Sequence, residues 1–368
     1  MIAGILKEHQ DSRVVMVPSV AKKMLANGYE IWLEKTAGEA ASFLDAEYES
    51  AGVKISDRST ILTQADLVLS IVPPADEALQ QLKEGAYSIA MYSPRANPDI
   101  QDKLAGLNVR AFSMDNIPRT TIAQSMDVLS SMASLAGYKA VLMAANYLPG
   151  YFPMLMTAAG TIPPAKVLIL GAGVAGLQAI ATSRRLGATV EAFDVRSAVK
   201  EEVESLGAKF VEVEGATEDK GAGGYAVQQT EEYQRRQKEL IHERASRANV
   251  IITTANIPGR KAPILIQAAT VEAMAPGSVI IDLAAGTGGN CALTENEKVV
   301  TKHNVTIVGD SNLPGKMARD ASTLLSNNYF NFLKYIFKEG QLDTIDPEND
   351  IVKNTLLGLP IMAPATEG

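Results

Sequence analysis

The stretch that most constrains this chain is Val167-Leu168-Ile169-Leu170 followed by Gly171-Ala172-Gly173-Val174-Ala175-Gly176. Four consecutive apolar residues read as a buried parallel strand, and the spaced glycines beyond it read as a strand-to-helix turn. Gly171 permits the tight turn, Gly173 lets the backbone approach an anion, and Gly176 allows a helix to pack closely on the sheet. A helical segment over 174–186 and a second strand, Thr189–Phe193, follow, ending on Asp194-Val195-Arg196. A helix N-terminus aimed at a pyrophosphate, with a carboxylate placed for ribose hydroxyls, makes this a dinucleotide-binding fingerprint. Asp194 would repel a 2′-phosphate, which favours NAD(H) over NADP(H); Arg196, two residues on, weakens that discrimination. The competing reading is a glycine turn in another α/β domain, such as a methyltransferase.

The 368 residues suggest about two domains. Strand-like runs at 2–6, 30–33, 67–72, 88–92 and 109–113 alternate with helical patterns at 19–27 and 76–82. Further strands are expected at 250–253, 279–283 and 305–309. This alternation predicts an α/β protein with two Rossmann-like doubly wound parallel-sheet domains, the first of them discontinuous. The expected division is residues 1–130 plus 315–368, and 131–314. A long apolar helical stretch near 130–160, ending at Pro149-Gly150, reads as a linker helix. A helix over 318–337, apolar at Leu324, Leu325, Phe330, Leu333 and Ile336, is expected to return to the first domain.

A net charge of −8 with no basic block argues against a nucleic-acid partner. The single cysteine, Cys291, excludes an internal disulfide, fits a reducing compartment, and reads as a buried structural thiol. The apolar run at 140–160 is broken by Asn146, Pro149, Gly150 and Pro153, so no spanning helix is expected there. Residues 1–6 run straight into Lys7-Glu8-His9, which does not resemble a signal peptide. His9, His242 and His303 lie in polar surroundings and read as surface residues; no metal-ligand spacing occurs, so no metal is expected.

In the first domain, Ile117-Pro118-Arg119 opens a turn that becomes a helix through Gln124-Ser125-Met126-Asp127 and Ser130-Ser131. A guanidinium, a carboxamide and a carboxylate suit a carboxamide ring and ribose hydroxyls. The alternative is a capped helix with Asp127 bonding locally. Residues 215–232, rich in glycine and charge around Tyr225, read either as a tolerated surface insertion or as a lid.

The order Arg119, Gln124, Asp127, Ser130 resembles the Arg-Gln-Asp loop of the NAD(H)-binding component of proton-translocating NAD(P) transhydrogenase. Ala136-Gly137-Tyr138-Lys139-Ala140, Met156-Thr157-Ala158-Ala159-Gly160-Thr161, Ile257-Pro258-Gly259-Arg260, Ile281-Asp282-Leu283-Ala284-Ala285 and Gly288-Gly289-Asn290-Cys291 match as well. The resemblance spans nearly the whole chain and shares its fold with alanine dehydrogenase. It implies that Arg119, Asp127 and Ser130 hold the nicotinamide of NAD(H), and that Gln124 reaches towards the NADP(H) nicotinamide on a partner component. It implies a mobile loop at 215–232 carrying Tyr225, a homodimer, and membrane-spanning partner subunits coupled to proton movement. A cytoplasmic subunit, peripheral to the inner membrane through those partners, is the expected location. A chain stopping at Gly368 would then be a separate subunit of a split enzyme or a shortened form.

Alanine dehydrogenases resemble this chain too, but carry a lysine in the stretch matching 67–74 and a histidine near 90–96. Here those stretches read Leu-Val-Leu-Ser-Ile-Val-Pro-Pro and Ala-Met-Tyr-Ser-Pro-Arg-Ala. Amino-acid oxidation needs a proton acceptor, whereas hydride exchange between two nicotinamides needs only orientation and close approach. An alanine-dehydrogenase-like enzyme and a catalytically silent NAD-binding regulatory module remain as alternatives.

Overall fold

The computed structural model describes residues 1–213, 230–256, 259–338, 341 and 345–360. Its contacts divide the chain into two units, Met1–Met132 with Gly315–Gly368, and Ala133–Pro314. Among the described residues each unit carries a seven-stranded sheet flanked by helices, the α/β architecture read from the sequence.

The first sheet runs Leu356–Gly358, Arg110–Ser113, Tyr87–Ala90, Leu67–Leu69, Ile2–Ile5, Glu30–Glu34, Lys54–Ser56. Neighbours are parallel except Leu356–Gly358, which pairs antiparallel with Arg110–Ser113. The second runs Lys209–Val211, Thr189–Phe193, Lys166–Leu170, Val250–Thr253, Val279–Asp282, Val305–Val308, Val299–Lys302, with only the last pair antiparallel. In both sheets the chain builds outwards on one side of its first strand, then crosses over and builds on the other. That reversal makes a crevice at the carboxyl ends of the strands, where open α/β sheets take their ligands. Val250–Thr253 and Val279–Asp282 are buried at every position, as parallel strands covered on both faces must be.

Several elements differ from the sequence reading. The outer strands Lys54–Ser56, Lys209–Val211 and Val299–Lys302 carry exposed polar positions, so no apolar run marks them. The apolar stretch expected as one helix near 130–160 is a helix only over Val128–Tyr147, with a two-stranded hairpin, Leu155–Thr157 with Gly160–Ile162, beyond it. Pro149 and Gly150 separate the two, as helix breakers do. Val128–Tyr147 is the one described helix long and apolar enough to cross a membrane, yet Ala140, Val141 and Ala144 on it pack in the core of the second unit with Ile169 and Ile180. Gly137 is required there: a Cβ would run into the backbone carbonyl of Ala175.

The helix Ala318–Ile336 belongs to the first unit, but its buried face differs from the expected one. Leu324 is exposed and Phe330 half-buried, whereas Ser322, Ser326, Tyr329 and Phe332 are buried. Phe332 meets Phe112 edge-on at 5.4 Å, and Phe112 stacks on Tyr87 at the same separation. The serines are tolerated inside because each has a backbone donor: Ser322 Oγ accepts from Val14 N and Ser326 Oγ from Val17 N, both at 2.9 Å.

Candidate functional site

The glycine turn sits where the second sheet reverses, between Thr189–Phe193 on one side and Val250–Thr253 on the other. Gly171 has φ +103°, a left-handed conformation that disfavours any side chain, and a Cβ there would strike Thr254 Oγ1. Gly176 is needed for packing, since a Cβ would run into the carbonyl of Gly171. Gly173 differs: a Cβ would meet nothing within 4 Å, so it borders open space at the start of the helix Val174–Arg185. Ala172 is buried beside it, while Val174 is exposed on the first turn. Unpaired N–H groups of that turn, with the positive end of the helix dipole, suit a phosphate.

Asp194 follows Thr189–Phe193 and is bound from two directions. Its Oδ2 accepts from Ala172 N at 2.7 Å, which ties the second strand to the glycine turn. Arg196 closes on it with a fork, Nε to Oδ1 at 2.8 Å and Nη2 to Oδ2 at 2.7 Å, and its own N–H donates to Oδ1 at 2.9 Å. Hydrogen bonding to Asp194 holds the Arg196 guanidinium above its usual pKa. Val195 lies between them on the edge of the core.

A second network braces the turn from the other side. Asp282, fully buried, ends the strand Val279–Asp282. Its Oδ1 accepts from Thr253 Oγ1 at 2.9 Å and Ala284 N at 3.1 Å; its Oδ2 accepts from Asn290 N, Cys291 N and Thr294 Oγ1 at 2.7–3.0 Å. Asn290 passes the order on: Oδ1 accepts from Ala255 N, and Nδ2 donates to the carbonyls of Ala255 and Pro263. Thr254 Oγ1 then donates to the Gly171 carbonyl at 3.0 Å. Burial pushes the Cys291 thiol up, consistent with a structural role. Sequence reasoning marks Asp282 only as part of a matching stretch and assigns nothing to Asn290; the one signal is its place directly after Gly288-Gly289.

In the first unit, residues 117–130 form a compact loop. Ala123 and Met126 are buried, which turns Arg119, Gln124 and Ser125 outwards. After a short 3₁₀ turn, Gln124–Met126, Asp127 takes an extended backbone conformation and caps the helix Val128–Tyr147. Its Oδ1 accepts from Ser130 N at 2.9 Å and its Oδ2 from Ser130 Oγ at 2.6 Å. A carboxylate has about four acceptor positions, so the cap leaves Asp127 capacity for a further donor. Both the local capping and the room for a ligand are therefore built into one side chain. The loop is clamped by two residues that nothing in the sequence singles out. Asn328 and Asn331, on the helix Ala318–Ile336, both donate through Nδ2 to the Ser125 carbonyl, at 2.9 and 3.1 Å.

At the carboxyl end of the first strand of the first sheet stands Glu8, whose carboxylate accepts from Ile71 N at 2.5 Å and weakly from Val72 N at 3.4 Å. A carboxylate at this turn repels phosphate, so the two sheets share an order but not an anion seat. Burial pushes the Glu8 carboxyl up to about 7, with Asp11 adding repulsion and Arg13 opposing it. Arg13 itself is engaged by Asp11 in a fork, Nε to Oδ1 at 2.8 Å and Nη2 to Oδ2 at 2.5 Å. A carboxyl whose pKa is raised on folding gives full stability below its unfolded value of 4.5 and loses it as pH rises towards 7. Glu8→Gln keeps the acceptor for Ile71 N and removes the charge. It is expected to be more stable than wild type by up to about 3 kcal/mol at pH 8, and equal to it at pH 4. Urea denaturation at the two pH values checks this; an equal difference at both would refute it.

Tyr225 and most of residues 215–232, with Ile257 and Pro258, lie outside the described residues. The three histidines are exposed.

With this geometry in view, the chain compares with known proteins as follows. Residues 4–136 match the N-terminal domain of the Alanine dehydrogenase/PNT family, and residues 140–359 match its C-terminal domain. The first of the separately encoded pieces of the NAD(P) transhydrogenase alpha subunit in Rhodospirillum rubrum is 44% identical over 366 residues, 96% of this chain and 95% of that protein. The solved structure of the transhydrogenase from Sinorhizobium meliloti is 41% identical and superposes with a TM-score of 0.88, covering 97% of this chain and 98% of its own. An L-alanine dehydrogenase structure, 23% identical with a TM-score of 0.78 over 99% of this chain and 98% of its own, shares the fold.

Proposed function

Since the chain belongs to the Alanine dehydrogenase/PNT family, with close relatives among NAD(P) transhydrogenase alpha subunits, we propose that it binds NAD(H) and exchanges a hydride directly with NADP(H) held on a partner component. NADH gives up a hydride from its dihydronicotinamide ring and becomes NAD⁺; NADP⁺ accepts it and becomes NADPH. No proton is released at the reacting carbons, so the chain's task is to hold and orient a ring. Gly171, Ala172, Gly173, Val174, Ala175 and Gly176 are assigned to the pyrophosphate, and Asp194, Val195 and Arg196 to the adenosine ribose. Arg119, Asp127 and Ser130 are assigned to the nicotinamide, Gln124 to the approach of the NADP(H) ring, and Tyr225 to the cover over bound nucleotide.

The observation that carries this reading is the loop at 117–130. It offers a guanidinium, a carboxamide and a carboxylate with acceptor capacity left, on a clamped backbone. The stretches where alanine dehydrogenases carry a lysine and a histidine hold neither here, as the buried Ser70 illustrates. The test is hydride transfer from NADH to an NADP⁺ analogue by the purified chain mixed with an NADP(H)-binding transhydrogenase component. Transfer supports the proposal. Tight NADH binding and a demonstrated complex without transfer overturns it, and pyruvate with ammonia then tests the dehydrogenase alternative.

Coupling to proton translocation is assigned to membrane subunits, which would bring this chain to the cytoplasmic face of the inner membrane. The chain is also assigned as a homodimer. The hairpin Leu155–Thr157 with Gly160–Ile162 pairs with no other strand among the described residues, and an isolated hairpin is marginal in water. Met154, Met156 and Ile162 are exposed on or beside it, Met156 by 73%. A second copy of the chain is the occupant that would complete and dry this element. Met156→Asp is expected to convert a dimer into a monomer without lowering thermal stability of the monomer fold, as read by sedimentation velocity; a dimer of unchanged affinity would count against the assignment.

A further inference from the structure

We infer that Arg196 is a specificity-determining residue of the nucleotide site, competing with the adenosine ribose for Asp194 and offering a 2′-phosphate a partner of its own. The inference rests on the NAD(H) reading of the second unit and concerns residues of that unit alone.

The acceptors of Asp194 are filled. Ala172 N and Arg196 Nη2 reach Oδ2; Arg196 N and Nε reach Oδ1. With about four acceptor positions on a carboxylate, a ribose hydroxyl can donate to Asp194 only where a donor withdraws. Ala172 N belongs to the glycine turn and Arg196 N to the strand end, so neither can leave without breaking the backbone arrangement. The guanidinium can: it sits at the tip of a flexible side chain that is 27% exposed, against 7% for the Asp194 side chain. Glu202, on the short helix Lys200–Ser205, lies within electrostatic reach of the same guanidinium and gives it a second carboxylate to turn to.

The two nucleotides then meet different conditions. For NAD(H), the ribose takes over the acceptors that the fork gives up, so part of the binding energy is offset by the lost ion pair. For NADP(H), the 2′-phosphate brings its own charge, and a released guanidinium pairs with it in the bidentate manner that suits phosphate. Asp194 alone would exclude the phosphorylated ribose; Asp194 with Arg196 grades the preference instead.

The test uses the whole chain and two probes, NADH and NADPH, with dissociation constants measured by nucleotide fluorescence for wild type, Arg196→Met and Arg196→Lys. In Arg196→Met the ratio of the NADPH to the NADH constant is expected to rise about tenfold or more. NADH should bind at least as tightly as to wild type, because the competitor for Asp194 is gone. Arg196→Lys keeps the charge without the fork and should retain NADPH binding while NADH tightens; it also stands in if the methionine variant fails to fold. An unchanged ratio in both variants overturns the inference, as does an equal loss of both nucleotides, which would make Arg196 a support for Asp194 only. Wild type that binds NADH but no NADPH at millimolar concentration overturns it too. Wild type that binds neither nucleotide defeats the NAD(H) reading itself.

Discussion

Asp127→Asn is expected to slow hydride transfer roughly 10²-fold in the mixture with an NADP(H)-binding component, while NADH still binds. The substitution is chosen because the cap survives it. An asparagine oxygen still accepts from Ser130 N, and its amide can donate to Ser130 Oγ, so the start of the helix Val128–Tyr147 stays in place. What is lost is the negative charge and one accepting oxygen facing the ring. A ring held by fewer fixed partners samples more orientations, and direct transfer depends steeply on ring approach. Most of the affinity for NADH, assigned to the glycine turn of the second unit, is untouched. Gln124→Asn withdraws an exposed carboxamide by one methylene and should reduce transfer with no change in melting temperature. Stopped-flow traces for the three proteins, beside NADH titrations, separate the cases. Wild-type rates in both variants would remove these side chains from the reaction; parallel loss of NADH binding and transfer would make them general binding residues.

The largest effect on stability is expected from Asp282→Ala. Five donors converge on this carboxylate, among them the buried backbone N–H groups of Asn290 and Cys291. Removing the acceptor leaves them to desolvated surroundings, at about 1–3 kcal/mol for each one left unsatisfied, partly relieved where water enters. A net loss of about 3 kcal/mol or more follows, roughly a 10 °C fall in melting temperature for a unit of this size. The damage should reach the nucleotide site, because Asn290 holds Ala255 while Thr254 holds the Gly171 carbonyl. NADH affinity is therefore expected to fall with stability, although Asp282 is assigned no contact with nucleotide. Calorimetry and NADH titration on the same sample check both halves, and a melting temperature within about 2 °C of wild type would show that the donors find other partners.

The α/β class was legible because it depends on short-range pattern. Thr189–Phe193 and Val250–Thr253 occur where their apolar runs lie, and Val174–Arg185 starts where Gly173 ends the turn. The reasons for individual glycines were partly legible: Gly171 and Gly176 are confined by neighbours that a fingerprint implies, Thr254 being the exception. Asp194 was legible as a carboxylate at a strand end, but its engagement by Arg196 and Ala172 was not, since one partner is two residues away and the other 22. The buried face of Ala318–Ile336 departs from expectation at Leu324 because a helix facing polar backbone at Val14 and Val17 buries serines that hydropathy places outside.

By itself, then, the order of apolar runs, glycines and acids determined that the chain makes two parallel α/β sheets and that one of them opens a glycine turn at its reversal. Periodicity along the chain suffices for that, because burial of a strand or a helix stripe is decided within a few residues. Only the tertiary structure decided which polar side chains hold the candidate site in shape. Asn328 reaches Ser125 across 203 residues, and Asp282 gathers donors from two loops. A hydrogen bond needs a partner within about 3 Å at the right angle, and no local pattern specifies which distant residue the closed fold will bring there.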